Sequence, residues 1–457
     1  MKKLLLFAMF VAAIQLVHAQ DFTKVKTSYL INKFEDAKTE IDKVMADPKA
    51  QAKAEGWFWK ATIYASLINS KDPILAKKYA SLSKDAEDAF KKYAEMDPTF
   101  VQVKEKGAQG YFDMYSNSYN GGIKIFNDKK WEDAAKQFES AIYYIDLIIK
   151  NKWTNANLAF DTSSVLYAGY AYQNATKPDN AVKYYRILAD NKVSGKDYID
   201  IYKFLAAHYT VTKNEELFKK YVAVGKELYP KESWEEFEIE FMDKNFTLTQ
   251  KTAMYDNEDA AGTLSEIKYL QFGDLFVKAK NEEKNMDSAK MRSYTLKAAE
   301  AFKKAFGKNP QNGIAAFNVG VIYYNIYGEY DDMFASNIRA MQALNADRVV
   351  EKDLKKKATA DAKFKAQVDL IKQANAALEK PLAENLDVAV IWLEKTYTVL
   401  KDKPGRNNTE KGVLNKSVDF LANLYAYKRD RMRGKDAKAF DAFDAKYKEF
   451  DALHGKF

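Results

Sequence analysis

The chain has 457 residues, of which 47% are hydrophobic, 30% are charged and only 8 are proline; this composition excludes a disordered chain and allows more than one core or an extended array. Its formal charge of +8 is mild for so large a surface, and the lysines are interleaved with acids, as in "KYAEMDP" and "KEFDAL". Nucleic-acid binding calls for cations clustered on one face, so no nucleic-acid partner is expected, and the absence of cysteine excludes disulfides, thiol nucleophiles and a lipid-modified cysteine anchor.

The first element is "MKKLLLFAMFVAAIQLVHAQDF": a lysine pair, an apolar run from Leu4 to Val17, then the small-residue site Val17-His18-Ala19. This pattern predicts a signal peptide over 1–19, cleaved after Ala19. As a membrane anchor the run is too short, since a span needs about 20 apolar residues, so no membrane insertion is expected after cleavage. Without the leader, 70 basic side chains face 64 acidic ones, a charge of +6. The expected product is an exported, periplasmic protein, and the short leader ending in Ala-Gln resembles those of Bacteroidetes-type bacteria.

Beyond the leader a small residue recurs three positions before a bulky one: Ala61 with Tyr64, Gly122 with Ile125, Gly169 with Tyr172, Ala206 with Tyr209, Gly273 with Phe276, Gly320 with Tyr323 and Ala422 with Tyr425. Residues three or four apart share one helix face, so each pair predicts a helix that another can approach closely. A second signature follows several of them: Ala86, Phe90 and Tyr93; Ala134, Phe138 and Ala141; Ala181, Tyr185 and Leu188; Ala298, Phe302 and Ala305. The separation between signatures is 12 residues in the units starting at Gly122 and Gly169, and 25 in those starting at Ala61 and Gly273. Both long units insert a charged stretch with a helix-start signal, Asp72-Pro73 and Asp287-Ser288, which predicts an extended second helix in each.

Between these related halves, residues 243–266 lose the helical period and are rich in Thr, Asn, Asp and Gly, which predicts a boundary. Just before it, Trp234, Phe237 and Phe241 form one stripe, the pattern of an ordinary core-facing helix. Residues 345–400 predict a long charged helix, with Phe364, Val368, Ile371 and Leu378 spaced in coiled-coil fashion. Lys355 and Lys356 upstream fall on its expected solvated face. A last amphipathic helix carries Phe440, Phe443, Tyr447 and Phe450.

These small and aromatic positions, with a closing proline at Pro98 and Pro310, resemble the tetratricopeptide-repeat family, whose unit is a pair of antiparallel helices. The resemblance covers most of the mature chain, unevenly, and is fullest at residues 165–190. It implies an all-α fold of helical hairpins stacked in a right-handed superhelix, or solenoid. The expected organisation is a repeat array over 20–245 and a second over 263–457, with a long inserted helix near 345–380. It further implies that first helices line a concave side, with inward positions three before the small residue and one, four and five after it. Carried onto this chain, the expected groove residues are Phe58, Tyr119, Phe126, Tyr170, Gln173, Asn174, Phe317, Tyr324 and Asn325. The lysine–asparagine clamp that some members use for a terminal carboxylate is absent; Lys203 is the one lysine in its first position.

The mature chain has two histidines, His208 and His454, so nucleophile–base pairs and zinc sites have almost no candidates. Gly121 and Gly122 lack the strand and lysine–serine pair of a phosphate loop. No catalytic residue, metal or cofactor is expected. The expectation is a non-catalytic exported scaffold that binds a protein or peptide through an aromatic-rich concave groove, in an envelope or secretion assembly. The alternative is a glycan-binding helical protein of the starch-utilisation type, whose members are normally anchored through a cysteine where this chain has Gln20.

Overall fold

The structure, a computed structural model, describes residues 22–282, 286–348 and 354–457; the expected leader and its cleavage site at Ala19 lie outside the described residues. Every regular element among the described residues is a helix. The chain divides into two compact units, one ending at Phe237 and one beginning at Glu238.

The first unit runs through α1 (Thr23–Leu30), α2 (Phe34–Met45), α3 (Pro48–Gln51), α4 (Ala54–Ile68), α5 (Pro73–Tyr79), α6 (Ser83–Met96), α7 (Val101–Lys106), α8 (Gln109–Asn127), α9 (Trp131–Lys150), α10 (Thr162–Asn174), α11 (Pro178–Asp190), α12 (Ile199–Val211) and α13 (Glu215–Leu228). The division falls inside α14 (Trp234–Asn245). Consecutive helices pair as antiparallel hairpins: α8 with α9, α10 with α11, α12 with α13.

Each hairpin closes where a small residue admits a neighbour's ring. A Cβ placed on Gly122 would lie 2.7 Å from Phe138 Cε1, and one on Gly169 only 2.6 Å from Tyr185 Cδ1. Carbon–carbon contact is optimal near ~3.5–4.0 Å, so neither position has room for a side chain. Ala61, Ala86, Ala134, Ala181 and Ala206 are fully buried, together with Tyr93, Phe138 and Tyr185.

The loops repeat as faithfully as the faces. In α1, α8, α9, α10, α11 and α12 the second residue past the helix is left-handed: Asn32, Lys129, Lys152, Thr176, Lys192 and Lys213, with φ between 51° and 61°. In each case the next amide donates back five residues, as Lys130 to Ile125 and Lys177 to Tyr172. This wraps up carbonyls that the helix end leaves unpaired. None of the six is glycine, so each turn carries the ~1–2 kcal/mol penalty of an L-residue in that region.

The unit that starts at Ala61 departs from expectation. Its inserted stretch is a separate helix, α5, followed by a 3-10 turn at Ala80–Leu82, and not an extension of α6. Asp72 caps α5 as its sequence implies, but α5 has no fully buried residue and meets the core only through half-buried Leu75 and Tyr79.

The second unit comprises the rest of α14, then α15 (Leu248–Ala260), α16 (Glu266–Glu282), α17 (Ser288–Lys308), α18 (Gly313–Ala346), α19 (Leu354–Leu400), α20 (Asn408–Met432) and α21 (Ala437–Asp451). The expected irregular stretch 243–266 contains a helix: α15 starts at a capping box of Thr247 and Gln250 and buries Leu248 and Tyr255. Its polar composition hides one narrow apolar face, and Tyr255 meets Phe272 and Phe276 edge-on at 5.3 and 5.0 Å. α17 is the extended second helix that Asp287 and Ser288 predict, with Gly273 seated on Phe302.

The long C-terminal segment is one arm of an elongated hairpin. α18, of 34 residues, packs against α19, of 47. At Gly320 a Cβ would fall 2.8 Å from Leu393, and at Gly313 2.6 Å from Leu400. Lys356 is exposed, as expected. α21 covers α20, with Phe450 buried against Tyr425 and Tyr397.

Candidate functional site

In the first unit the first helices α8, α10 and α12 carry a strip of half-buried rings. Tyr115, Tyr119 and Phe126 come from α8, Tyr167 and Tyr170 from α10, and Phe204 with His208 from α12. Spacings of three, four and seven put each set on one helix face. Tyr119 meets Tyr167 at 6.3 Å and 80°, Tyr167 meets Tyr170 at 6.4 Å and 88°, and Tyr170 meets Tyr185 at 6.0 Å and 75°. Phe204 continues the strip 5.1 Å from Tyr185 and stacks on His208. Phe126 anchors the other side against Trp131 and Tyr167, at 4.8 and 5.7 Å.

Hydrogen bonds hold the rings in place. The Tyr115 hydroxyl donates to Asp161 Oδ2 at 2.9 Å, and the same carboxylate caps α10 by accepting from the Ser163 and Ser164 amides. The Tyr170 hydroxyl donates to the Asp197 carbonyl at 2.9 Å. Partial burial, reinforced by the charges of Asp200 and Asp197, pushes the Tyr170 phenol upward, and burial with Asp161 does the same for Tyr115. Burial lowers His208, against the pull of Asp179, so its ring is neutral near pH 7. Packed between Phe204 and Tyr209, it has the surroundings of a structural histidine.

Of the nine groove residues expected from sequence, Tyr119, Phe126 and Tyr170 lie on this strip. Gln173 and Asn174 sit at its edge with their amides engaged: Gln173 Oε1 accepts from the Tyr185 hydroxyl at 2.5 Å, and Asn174 Nδ2 donates to the Tyr170 carbonyl at 2.8 Å. Phe58 is a correction. It is 2% exposed and packs edge-on to Trp59 and Tyr93, because α2, α6 and α8 all pack on α4 and leave it no open side. Phe317, Tyr324 and Asn325 belong to the second unit. There Tyr324 and Phe317, both half-buried, stack on Phe420 of α20 at 4.3 and 6.4 Å, so α20 takes up part of the face that the repeat register leaves open; Asn325 is exposed.

Sequence reasoning missed Tyr115, Tyr167, Phe204 and His208. The signal was available: Tyr115 precedes Tyr119 by four residues and Tyr167 precedes Tyr170 by three, so each shares its neighbour's face. Among the described residues no cluster of three or more histidine and carboxylate side chains could hold a metal, and no helix is long and apolar enough to cross a membrane.

No family model matches the chain and no curated protein matches it in sequence. Among solved structures it is similar to the C-terminal part of a TPR repeat-containing protein from Cytophaga hutchinsonii, at 14% identity over 83% of this chain and 96% of that one, with a TM-score of 0.23. The APC/C Cut9–Hcn1 hetero-tetramer shares 11% identity over 97% of this chain and 96% of that one, TM-score 0.19. Naa15/Naa10 bound to HypK-THB shares 13% over 95% and 94%, TM-score 0.16. At these scores the likeness carries no argument about function; the tetratricopeptide-like character of the fold rests on the hairpins and small-residue seats of the chain itself.

Proposed function

We propose that this chain is an exported, non-catalytic scaffold of tetratricopeptide type, which holds an extended segment of a protein partner along the aromatic strip of its first unit, in an envelope or secretion assembly. The observation that carries the reading is the run of half-exposed rings, Tyr115, Tyr119, Tyr167 and Tyr170, on consecutive first helices. Aromatic rings that keep an apolar body and a polar tip are the residues that protein interfaces favour. From Tyr119 through Tyr167 to Tyr170 successive rings meet at 80–88°, a corrugated stretch that suits the alternating side chains of an extended peptide. The leader over 1–19, and Gln20 where an anchoring cysteine would stand, support release into the periplasm of a Bacteroidetes-type cell.

The test places a photo-crosslinking amino acid at Tyr119 or Tyr170, with Tyr425 in the second unit's core as control, in cells that export the chain. A discrete protein adduct at the strip positions alone, on protein whose first residue is Gln20, is the expected result. Retention on polysaccharide with no protein adduct at either position overturns the reading.

A further inference from the structure

The aromatic strip has carboxylates at both ends, and none of them has a cation beside it in an ion pair among the described residues. Other acids on or beside these helices are neutralised: Asp190 by Lys220, Glu227 by Lys192 and Glu232 by Lys203, each within 2.8 Å. At the Tyr115 end stand Asp161 and Asp146; at the Tyr170 end stand Asp197 and Asp200. None of these four has an ion pair among the described residues. Asp161 is satisfied by neutral donors, namely the Tyr115 and Ser164 hydroxyls and two backbone amides. Lys203, the lysine that the repeat register places on an inward position, is already bound to Glu232 at 2.7 Å.

The charge of these acids is felt locally. Asp146 is pushed above the usual carboxylate range by partial burial and by the charge of Asp161, so the pair repel each other with no cation between them. In a chain whose own formal charge is +8, a face with four unneutralised carboxylates beside tyrosine rings opposes the sign of the whole. A cation on a flexible stem satisfies both features: its charged head lies over a ring face or reaches a carboxylate, while its alkyl stem covers the ring.

Resting on the reading of the strip as a peptide groove, we propose that its partner is a basic segment, in which lysine or arginine alternates with small or apolar residues and pairs with Asp161, Asp146, Asp197 and Asp200. This is the opposite polarity to capture of a terminal carboxylate, for which the strip has no free cation in the clamp position.

The test is fluorescence anisotropy with the full chain and three labelled synthetic peptides of about ten residues, enough to span several side-chain positions of a groove. Leucine and alanine alternate with lysine in the first, glutamine in the second and glutamate in the third. The lysine peptide is expected to bind, with an affinity that falls steeply as salt rises, and the glutamate peptide is expected not to. The variant Asp161→Asn/Asp197→Asn/Asp200→Asn keeps the acceptor that caps α10 and should weaken the lysine peptide by about tenfold or more, as losing several charge pairs at an interface does. Tyr170→Ala should weaken the lysine peptide as well. If the glutamine peptide binds as tightly as the lysine peptide and only Tyr170→Ala weakens it, the groove stands and the basic partner is refuted. Tighter binding of the glutamate peptide refutes it too. If no peptide binds, the groove reading itself falls, and the basic partner with it.

Discussion

The sharpest quantitative test is a single methyl group added at two glycines. Gly169 and Gly412 both lie inside helices, α10 and α20, where glycine costs about 0.5–1 kcal/mol relative to alanine. At Gly412 nothing lies within 4 Å of an added Cβ, so Gly412→Ala should stabilise by that amount. At Gly169 the same Cβ lands 2.6 Å from Tyr185 Cδ1 and would need the ring to retreat by about 1 Å to restore ordinary contact. That ring has little freedom to move: Tyr185 is fully buried, touches Tyr170 and Phe204, and donates its hydroxyl to Gln173. Overpacking of a filled core costs about 1–3 kcal/mol, so Gly169→Ala should be destabilising by about 1–2 kcal/mol after the helical gain, and Gly169→Leu by more. Urea unfolding followed by circular dichroism measures both changes, and the double variant with Tyr185→Leu should recover part of the loss by making room. A Gly169→Ala protein as stable as Gly412→Ala would refute the close hairpin seat, and with it the packing rule on which every unit depends.

Other expectations follow from the same contacts. Phe58→Ala should cost about 3–5 kcal/mol as a core truncation without touching partner binding once folded, whereas Tyr170→Ala should cost about 1–2 kcal/mol and abolish strip-dependent crosslinking; equal effects on binding would return Phe58 to the groove. Thr176→Gly should stabilise by about 1 kcal/mol, since a β-branched residue at φ 57° gives way to the residue that tolerates that region, and a loss in the melting midpoint would show that the Thr176 side chain matters more than its backbone. Asp161→Ala should lose about 1–2 kcal/mol with the α10 cap and the Tyr115 bond, while Asp161→Asn should lose less. In the second unit, burial pushes Asp259 upward but hydrogen bonds from Lys304 and Tyr269 outweigh it, holding the carboxyl below its ordinary range. A depressed folded value means stability that is present above the unfolded value, about 3.9, and disappears as pH falls through the folded one. The stability gap between the parent and Asp259→Asn should therefore narrow on going from pH 5 to pH 3, and a gap that widens would show the ion pair to be misplaced.

The hairpin seats were legible because they depend on identity at fixed spacing. Gly122, Gly169 and Gly273 are the residues that receive Phe138, Tyr185 and Phe302, and each pair was written in one short segment of chain. The same logic found Asp72-Pro73 and Asp287-Ser288 as helix starts. It failed at α15, where a capping box and a Leu248–Tyr255 face lie inside a composition typical of loops. Local composition records what faces water, and a helix with one narrow buried edge is mostly water-facing.

The groove was half legible for a different reason. Repeat register says which face of a helix is inward within its own hairpin; it does not say whether another helix covers that face. At Tyr119 and Tyr170 nothing covers it completely and the rings stay half-exposed. At Phe58 the neighbours of α4 close over it, whereas Phe317 and Tyr324 stay half-buried with one face of each stacked on Phe420, about a hundred residues on.

The amino-acid order by itself thus determined the helices, their pairing and the small-to-large seats that join them, because these rest on neighbours within one or two turns or one hairpin. Which of the resulting aromatic faces remains open to a partner, and which carboxylates beside it are left without a cation, was decided only by the tertiary structure, because exposure and charge pairing are properties of everything that surrounds a side chain, however distant in the chain.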